Sequence, residues 1–167
     1  MSNRRQPADT ALIDQANAAG ADAWHGIHAM ADHMGNAVEH VAPGPLTKAI
    51  AVRLITHMHD RETHGQPTLC PHLSYTAPQP AFWVPYAPDL LRCHPCLTDA
   101  IEQIVGTEED NRCDHCQTVT STIHNDAMHL PPIVLMAPQR QAEAIPPVIV
   151  FYGLCPACQK VDIEARP

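Results

Sequence analysis

Basic residues, aromatic residues and long apolar runs are all scarce in this 167-residue chain, and each shortage closes off a class of function. Lys and Arg number 10 against 18 Asp and Glu, a formal net charge of −8. A surface of that sign repels phosphate backbones over most of its area, and no basic stripe is visible to reverse it locally. Seven aromatic side chains are present: Trp24, Phe82, Trp83, Tyr75, Tyr86, Phe151 and Tyr152. Only Trp24 belongs to the first 64 residues, so that part cannot build an aromatic-rich core. No stretch approaches the roughly eighteen consecutive apolar residues a membrane-spanning helix needs. Arg4-Arg5 is followed by Asp9 and Asp14 instead of an apolar export segment. The expectation is a cytoplasmic protein without a membrane partner.

Proline, by contrast, is plentiful: 17 residues, most of them after Gly65. Short, proline-broken segments bury too little apolar surface to hold themselves together, and a metal is the usual staple. The first 64 residues read differently. Trp24, Ile27, Ala31, Met34, Val38 and Val41 step by threes and fours, one apolar stripe of a helix over residues 8–41. Asp9 or Thr10 can cap its start, and Pro43-Gly44-Pro45 ends it. Leu46, Ile50, Leu54 and Met58 form a second stripe over residues 46–61. A connection this short makes the pair antiparallel neighbours. The fold class expected is therefore α+β: an N-terminal antiparallel helical hairpin (1–64), then a β-rich module (65–167). In the latter, residues 81–84, 118–123, 133–137 and 148–152 read as strands, 97–105 as a short helix and 138–147 as a proline-bounded loop.

The chemistry sits in four pairs: Cys70-Pro-His72, Cys93-His-Pro-Cys96, Cys113-Asp-His-Cys116 and Cys155-Pro-Ala-Cys158. Zinc takes four thiolate or imidazole donors in a tetrahedron, and two donors on one tight turn supply half of it. Eight candidate ligands, Cys70, His72, Cys93, Cys96, Cys113, Cys116, Cys155 and Cys158, make two complete sites with no cysteine left over. Two Zn²⁺ per chain are expected, with His64, His94 or His115 as the alternatives to His72. Loading would take the formal charge to roughly −11, since bound thiols are deprotonated. Sequential pairing puts Cys70 and His72 with Cys93 and Cys96, and Cys113 and Cys116 with Cys155 and Cys158. Nested and cross-braced pairings use the same residues.

On that spacing, residues 70–96 resemble a treble-clef finger, in which a helix begins at the second ligand pair. Residues 113–158 resemble a zinc ribbon, two knuckles separated by strands. The order departs from RING domains, where the Cys-x-His step lies between CxxC pairs. The whole arrangement is similar to uncharacterised actinobacterial and phage zinc proteins, a resemblance that implies a structural metal and no particular activity.

Several enzymatic readings fail on detail. Thr56-His-Met-His-Asp60 with His64 is similar to the THxHxDH signature of metallo-β-lactamase-type hydrolases. However, Asp60 directly follows His59, and on a helix His57 and His59 diverge by about 200°. The hairpin's histidines, among them His25, His28, His33 and His40, lack the Glu-x-x-His pairs of di-metal bundles. Glu39-His40 reverses the deaminase order. Cys93-His-Pro-Cys96 followed by a helix resembles a thioredoxin-type redox pair, yet leaves the other CxxC pairs without a role. The function expected is a non-enzymatic adaptor or regulatory protein that binds another protein. A redox-active oxidoreductase or zinc thiol switch is the first alternative, a transcription- or translation-associated ribbon the second. The expected contact surface, for a partner or a second copy, is the hairpin, with Trp24, Met30 and Met34 as its apolar area.

Overall fold

The run Val-Ile-Val-Phe-Tyr-Gly-Leu is too apolar to face water on either side, and the structure buries both of its faces. In the computed structural model, which describes residues 7–33, 43–135 and 143–166, this run is the centre of a three-stranded sheet. The elements in chain order are α1 (Pro7–His33), α2 (Pro45–Thr63), β1 (Ala81–Trp83), α3 (His94–Glu102), β2 (His124–Leu130), β3 (Ile133–Leu135), β4 (Glu143–Ile145), β5 (Val148–Leu154) and α4 (Pro156–Glu164). The fold mixes α and β. β1 runs parallel to β5 with Ala81 opposite Val148, and β2 runs antiparallel with Met128 opposite Val150. β3 and β4 form a separate two-stranded antiparallel pair.

Side chains alternate across a strand, so the register sorts the sheet into two faces. Ile149 and Phe151 of β5 share one face with Phe82 and Ala127. Val148, Val150, Tyr152 and Leu154 share the other with Ala81, Trp83, Met128 and Leu130. Each face takes a helix. α1 covers the first with Ala23, Ile27 and the half-buried Trp24, and its Leu12 and Ala16 pack with Ala144 of β4. Its buried row of Leu12, Ala16, Ala19, Ala23 and Ile27 is mostly alanine, which lets the helix lie close. A Cβ on Gly20 would already sit 3.4 Å from the Pro132 ring. α2 packs Ile50 and Leu54 into the other face, with Leu46 and Met58 at the margin.

This packing differs from the antiparallel hairpin expected for residues 1–64. α1 packs against β2, β3, β4 and β5, and α2 packs against α4. β5 is apolar on both faces: one packs with Ala23 and Ile27 of α1, and the other belongs to the core that holds Ile50 and Leu54 of α2. The proposed Met30/Met34 surface lies outside the described side chains, as do residues 34–42 of the expected first helix. Trp24 is committed to the sheet, its ring 4.7 Å from that of His129.

Three other local readings change. Residues 118–123 hold only an isolated Arg112–Val119 bridge, and the strand comes later, as β2. α3 begins at His94, before Leu97, because Cys93 is extended and Pro95 pre-sets the first turn. The loop expected at 138–147 contains β4, and α4, where no helix was expected, follows the last cysteine pair.

α2 and α4 meet through a buried carboxylate. Gly44 stands at the N-cap of α2 without a side chain to cap it. Asp162 of α4 supplies the missing acceptor: Leu46 and Thr47 donate their amides to Oδ1 at 2.8 and 2.9 Å, and the Thr47 hydroxyl donates to Oδ2 at 2.8 Å. Gly44 packs so tightly on Asp162 that a Cβ there would collide with the Asp162 backbone oxygen and carboxyl carbon.

Candidate metal centres

All eight sequence-predicted ligands come together, in two groups of four that follow chain order. Cys70, His72, Cys93 and Cys96 form one tetrad; Cys113, Cys116, Cys155 and Cys158 form the other. Within each, the donor atoms all lie within 4.8 Å of one another.

The first tetrad starts on a turn. Cys70 donates its amide to Leu91 O at 2.8 Å, Leu91 donates to Thr68 O at 2.8 Å, and Leu73 donates to Cys70 O at 3.0 Å, curling the chain at Pro71. Arg92, bridged to Phe82 of β1, holds the preceding loop through the Ala87 and Leu90 carbonyls at 2.6 and 2.8 Å. Cys93 then occupies the N-cap of α3 with φ −72° and ψ 167°. Its amide points at the Cys70 sulfur, 3.2 Å away. His72 Nδ1 lies 3.5 Å from Cys93 Sγ and 3.3 Å from Cys96 Sγ.

The second tetrad repeats the plan. Cys113 donates to Thr118 O and Gln117 donates to Cys113 O, both at 2.9 Å. The turn requires φ +64° at Gln117, a left-handed conformation uncommon outside glycine and asparagine. Its side-chain amide is 3.3 Å from both the Cys113 and Asp114 carbonyls, ties that offset the strain. Cys155 is the N-cap of α4 with φ −67° and ψ 159°, followed by Pro156. Its amide points at the Cys113 sulfur, 3.3 Å away. Both tetrads thus combine a tight turn with a helix N-terminus. The two-knuckle ribbon expected for the second departs from this, because Pro156 starts a helix where a ribbon would turn back.

Helix N-termini carry partial positive charge and unsatisfied amides, and both favour thiolates. A tetrahedral ion with sulfur at about 2.3 Å and nitrogen at about 2.0 Å sets neighbouring sulfurs about 3.8 Å apart and sulfur–nitrogen pairs about 3.5 Å apart. Cys116 and Cys155 stand 3.8 Å apart, which fits a shared ion and is far beyond a disulfide. The residues present therefore fit two metal ions. As a free thiol, Cys116 is brought down to about 6, by the Thr118 hydroxyl first and its amide second. Burial is the main cause that pushes Cys158 far up. A buried thiol of that kind ionises when a cation shares the charge.

Several residues that serve this geometry were silent in the sequence. Asp114, between two ligands, donates its amide to Gly153 O at 2.8 Å and accepts the Gly153 amide at 2.6 Å, fastening the turn to β5. Arg53 of α2 donates to the Asp114 carbonyl at 3.0 Å. A Cβ on Gly153 would collide with Ile123, so glycine is needed for close approach there. These ties reverse no pattern in the chain; they are visible only once β5 and the turn are side by side.

The other histidines form no further cluster among the described residues. His64 folds onto the Asp60 carbonyl at 2.7 Å, ending α2. A cleft of about 260 Å³ lies between α2 and the second turn, lined in part by Arg53, His57, Tyr86, Arg112 and Asp114. Its arginines are already engaged, Arg53 with Asp114 O and Arg112 with Glu109 and Gln117 O. Among the described residues, no helix is long and apolar enough to cross a membrane. Comparison with protein-family models, curated proteins and solved structures gave no match.

Proposed function

We propose that this protein is a non-enzymatic zinc-binding adaptor or regulatory protein that binds another protein in the cytoplasm. The observation that carries the metal half is the convergence of eight donors into two complete sets of four. Seven thiolates and one imidazole are donors suited to Zn²⁺, and a site with four protein ligands has no open position for substrate. The ions are structural in this reading. They hold the turn and helix start of each tetrad against the common apolar core, which contains Cys70, Cys113, Cys155 and Cys158. The adaptor half is supported by exposed apolar side chains on three helices, Val52 and Ile55 of α2, Ile101 of α3 and Val161 and Ile163 of α4. Nucleic acid is disfavoured as the partner by the net charge of −8.

Elemental analysis of cytoplasmically produced protein after gel filtration should find about two zinc ions per chain. A folded sample without metal would defeat the reading. Stoichiometric complexes with a captured protein, stable to gel filtration, should be lost on chelation. A zinc thiol switch is the second reading, favoured by the exposed Cys116. It requires dilute peroxide to release zinc faster than chelator alone does.

A further inference from the structure

The two tetrads share a plan but differ in what surrounds them. In the first, Cys70 alone is buried; Cys93 and Cys96 are half-buried and His72 is exposed. In the second, Cys113, Cys155 and Cys158 are buried, and Cys116 alone is exposed. The bracing is also unequal. The second turn is tied to β5 through the reciprocal Asp114–Gly153 bonds and to α2 through Arg53. Its helix is tied to α2 through Asp162. Among the described residues, the His72 side chain has polar contacts only with Cys93 and Cys96.

We propose that the first tetrad is an exchangeable zinc site and the second a permanent one, so that the chain yields one ion to a competing zinc acceptor while keeping its fold. This rests on the reading that both tetrads bind zinc. A four-coordinate ion passes to an acceptor by stepwise replacement, in which an incoming donor reaches the metal as a resident ligand swings away. His72 can leave, since a neutral imidazole released into water strands no charge, and its place is open to solvent. In the second tetrad the one exposed ligand, Cys116, is a thiolate and so a stronger donor than imidazole, and releasing any of the other three would leave an anion in an apolar core, which is costly. The first tetrad also binds with three thiolates against four. The acceptor class is a molecule with thiolate or imidazole donors able to enter at the His72 side. What its departure loosens is local: the Cys70–Leu73 turn and the start of α3.

The full-length chain loaded with two zinc ions is mixed with excess chromophoric zinc chelator and followed by absorbance. Two phases of one ion each are expected, separated by about tenfold or more, a barrier difference of about 1.4 kcal/mol. Far-UV circular dichroism should lose only the small contribution of α3 in the first phase and most of the remaining change in the second. Cadmium NMR of the wild-type chain assigns the phases, because a four-thiolate site and a three-thiolate site resonate apart. The three-thiolate signal should fade first under chelator. His72→Ala should remove the fast phase and keep the slow one, and if that variant fails to fold, the cadmium experiment decides. Release of both ions in one phase, or fading of the four-thiolate signal first, overturns the inference. A folded chain that takes up neither zinc nor cadmium overturns the underlying metal reading itself.

Discussion

A carboxylate as deeply buried as Asp162 has to be matched by donors, and it has the Leu46 and Thr47 amides, the Thr47 hydroxyl and, at 3.5 Å, Arg166. Burial alone pushes its carboxyl up; the bonds from Thr47, Leu46 and Arg166 outweigh burial and hold it below the ordinary 3.8. Asp162→Ala strands those donors and should cost about 2–3 kcal/mol in chemical denaturation. The pH dependence has a definite sign. A lowered folded-state value means the stabilisation is complete above the unfolded value of 3.8 and is lost as pH falls from there through the folded value. The stability gap between wild type and Asp162→Asn should therefore narrow below about pH 4, and comparing the two chains at each pH cancels the metal-linked part. Gly44→Ala attacks the same joint by collision and should cost about 1–3 kcal/mol, read as a lower denaturation midpoint. Asp162 itself was illegible in the sequence. It is an acidic residue in a polar stretch, and only the fold brings it to a helix start more than a hundred positions earlier.

At the scale of elements, legibility followed how local the cause was. The ligand spacing named the four pairs because two donors on one turn is a local property, whereas which pairs meet is set by the fold. α2 was readable from Leu46, Ile50, Leu54 and Met58, and its buried row includes Ile50 and Leu54. β2 was not, since His-Asn-Asp-Ala-Met-His-Leu has little strand character and is held in place by pairing with β5. α4 was missed although Cys-Pro opens it much as Cys-His-Pro opens α3, a parallel the proline alone could have signalled. Helices of nine residues are marginal by themselves. Chelation should accordingly strip α3 and α4 of helical signal, seen as reduced far-UV ellipticity that returns with added Zn²⁺. Unchanged ellipticity after complete metal removal would show that packing alone holds them.

For the whole molecule, the division into a hairpin and a module predicts that residues 65–167 can stand alone. The packing predicts otherwise. α1 and α2 lie on opposite faces of β5, so deleting residues 1–64 would uncover Ile149 and Phe151 on one side and Val150 on the other. That truncation should aggregate or show no cooperative melt, even with Zn²⁺ supplied. A soluble, cooperatively melting fragment would restore the hairpin as a separate unit. The charge argument also belongs at this scale: fluorescence titration at physiological salt should detect no micromolar binding to duplex DNA, because too few phosphates can be neutralised. Composition is the whole ground of that expectation. It could not carry the placement of the helices, which depends on β5 having no polar face.

The central place of β5 also imposes a timetable. As the chain leaves the ribosome, the donors of the first tetrad are all available once Cys96 has emerged. α1, α2 and β1 have been made by then, yet none has its partner, because Val148–Leu154 is still to be synthesised. For that interval two apolar helical faces and an unpaired strand edge are open to water, the exposure that recruits chaperones and invites aggregation. Pairing Ala81 with Val148 then has to close a long loop, which slows folding further. A nascent chain stalled between residues 96 and 148 would hold one complete donor set and no finished core.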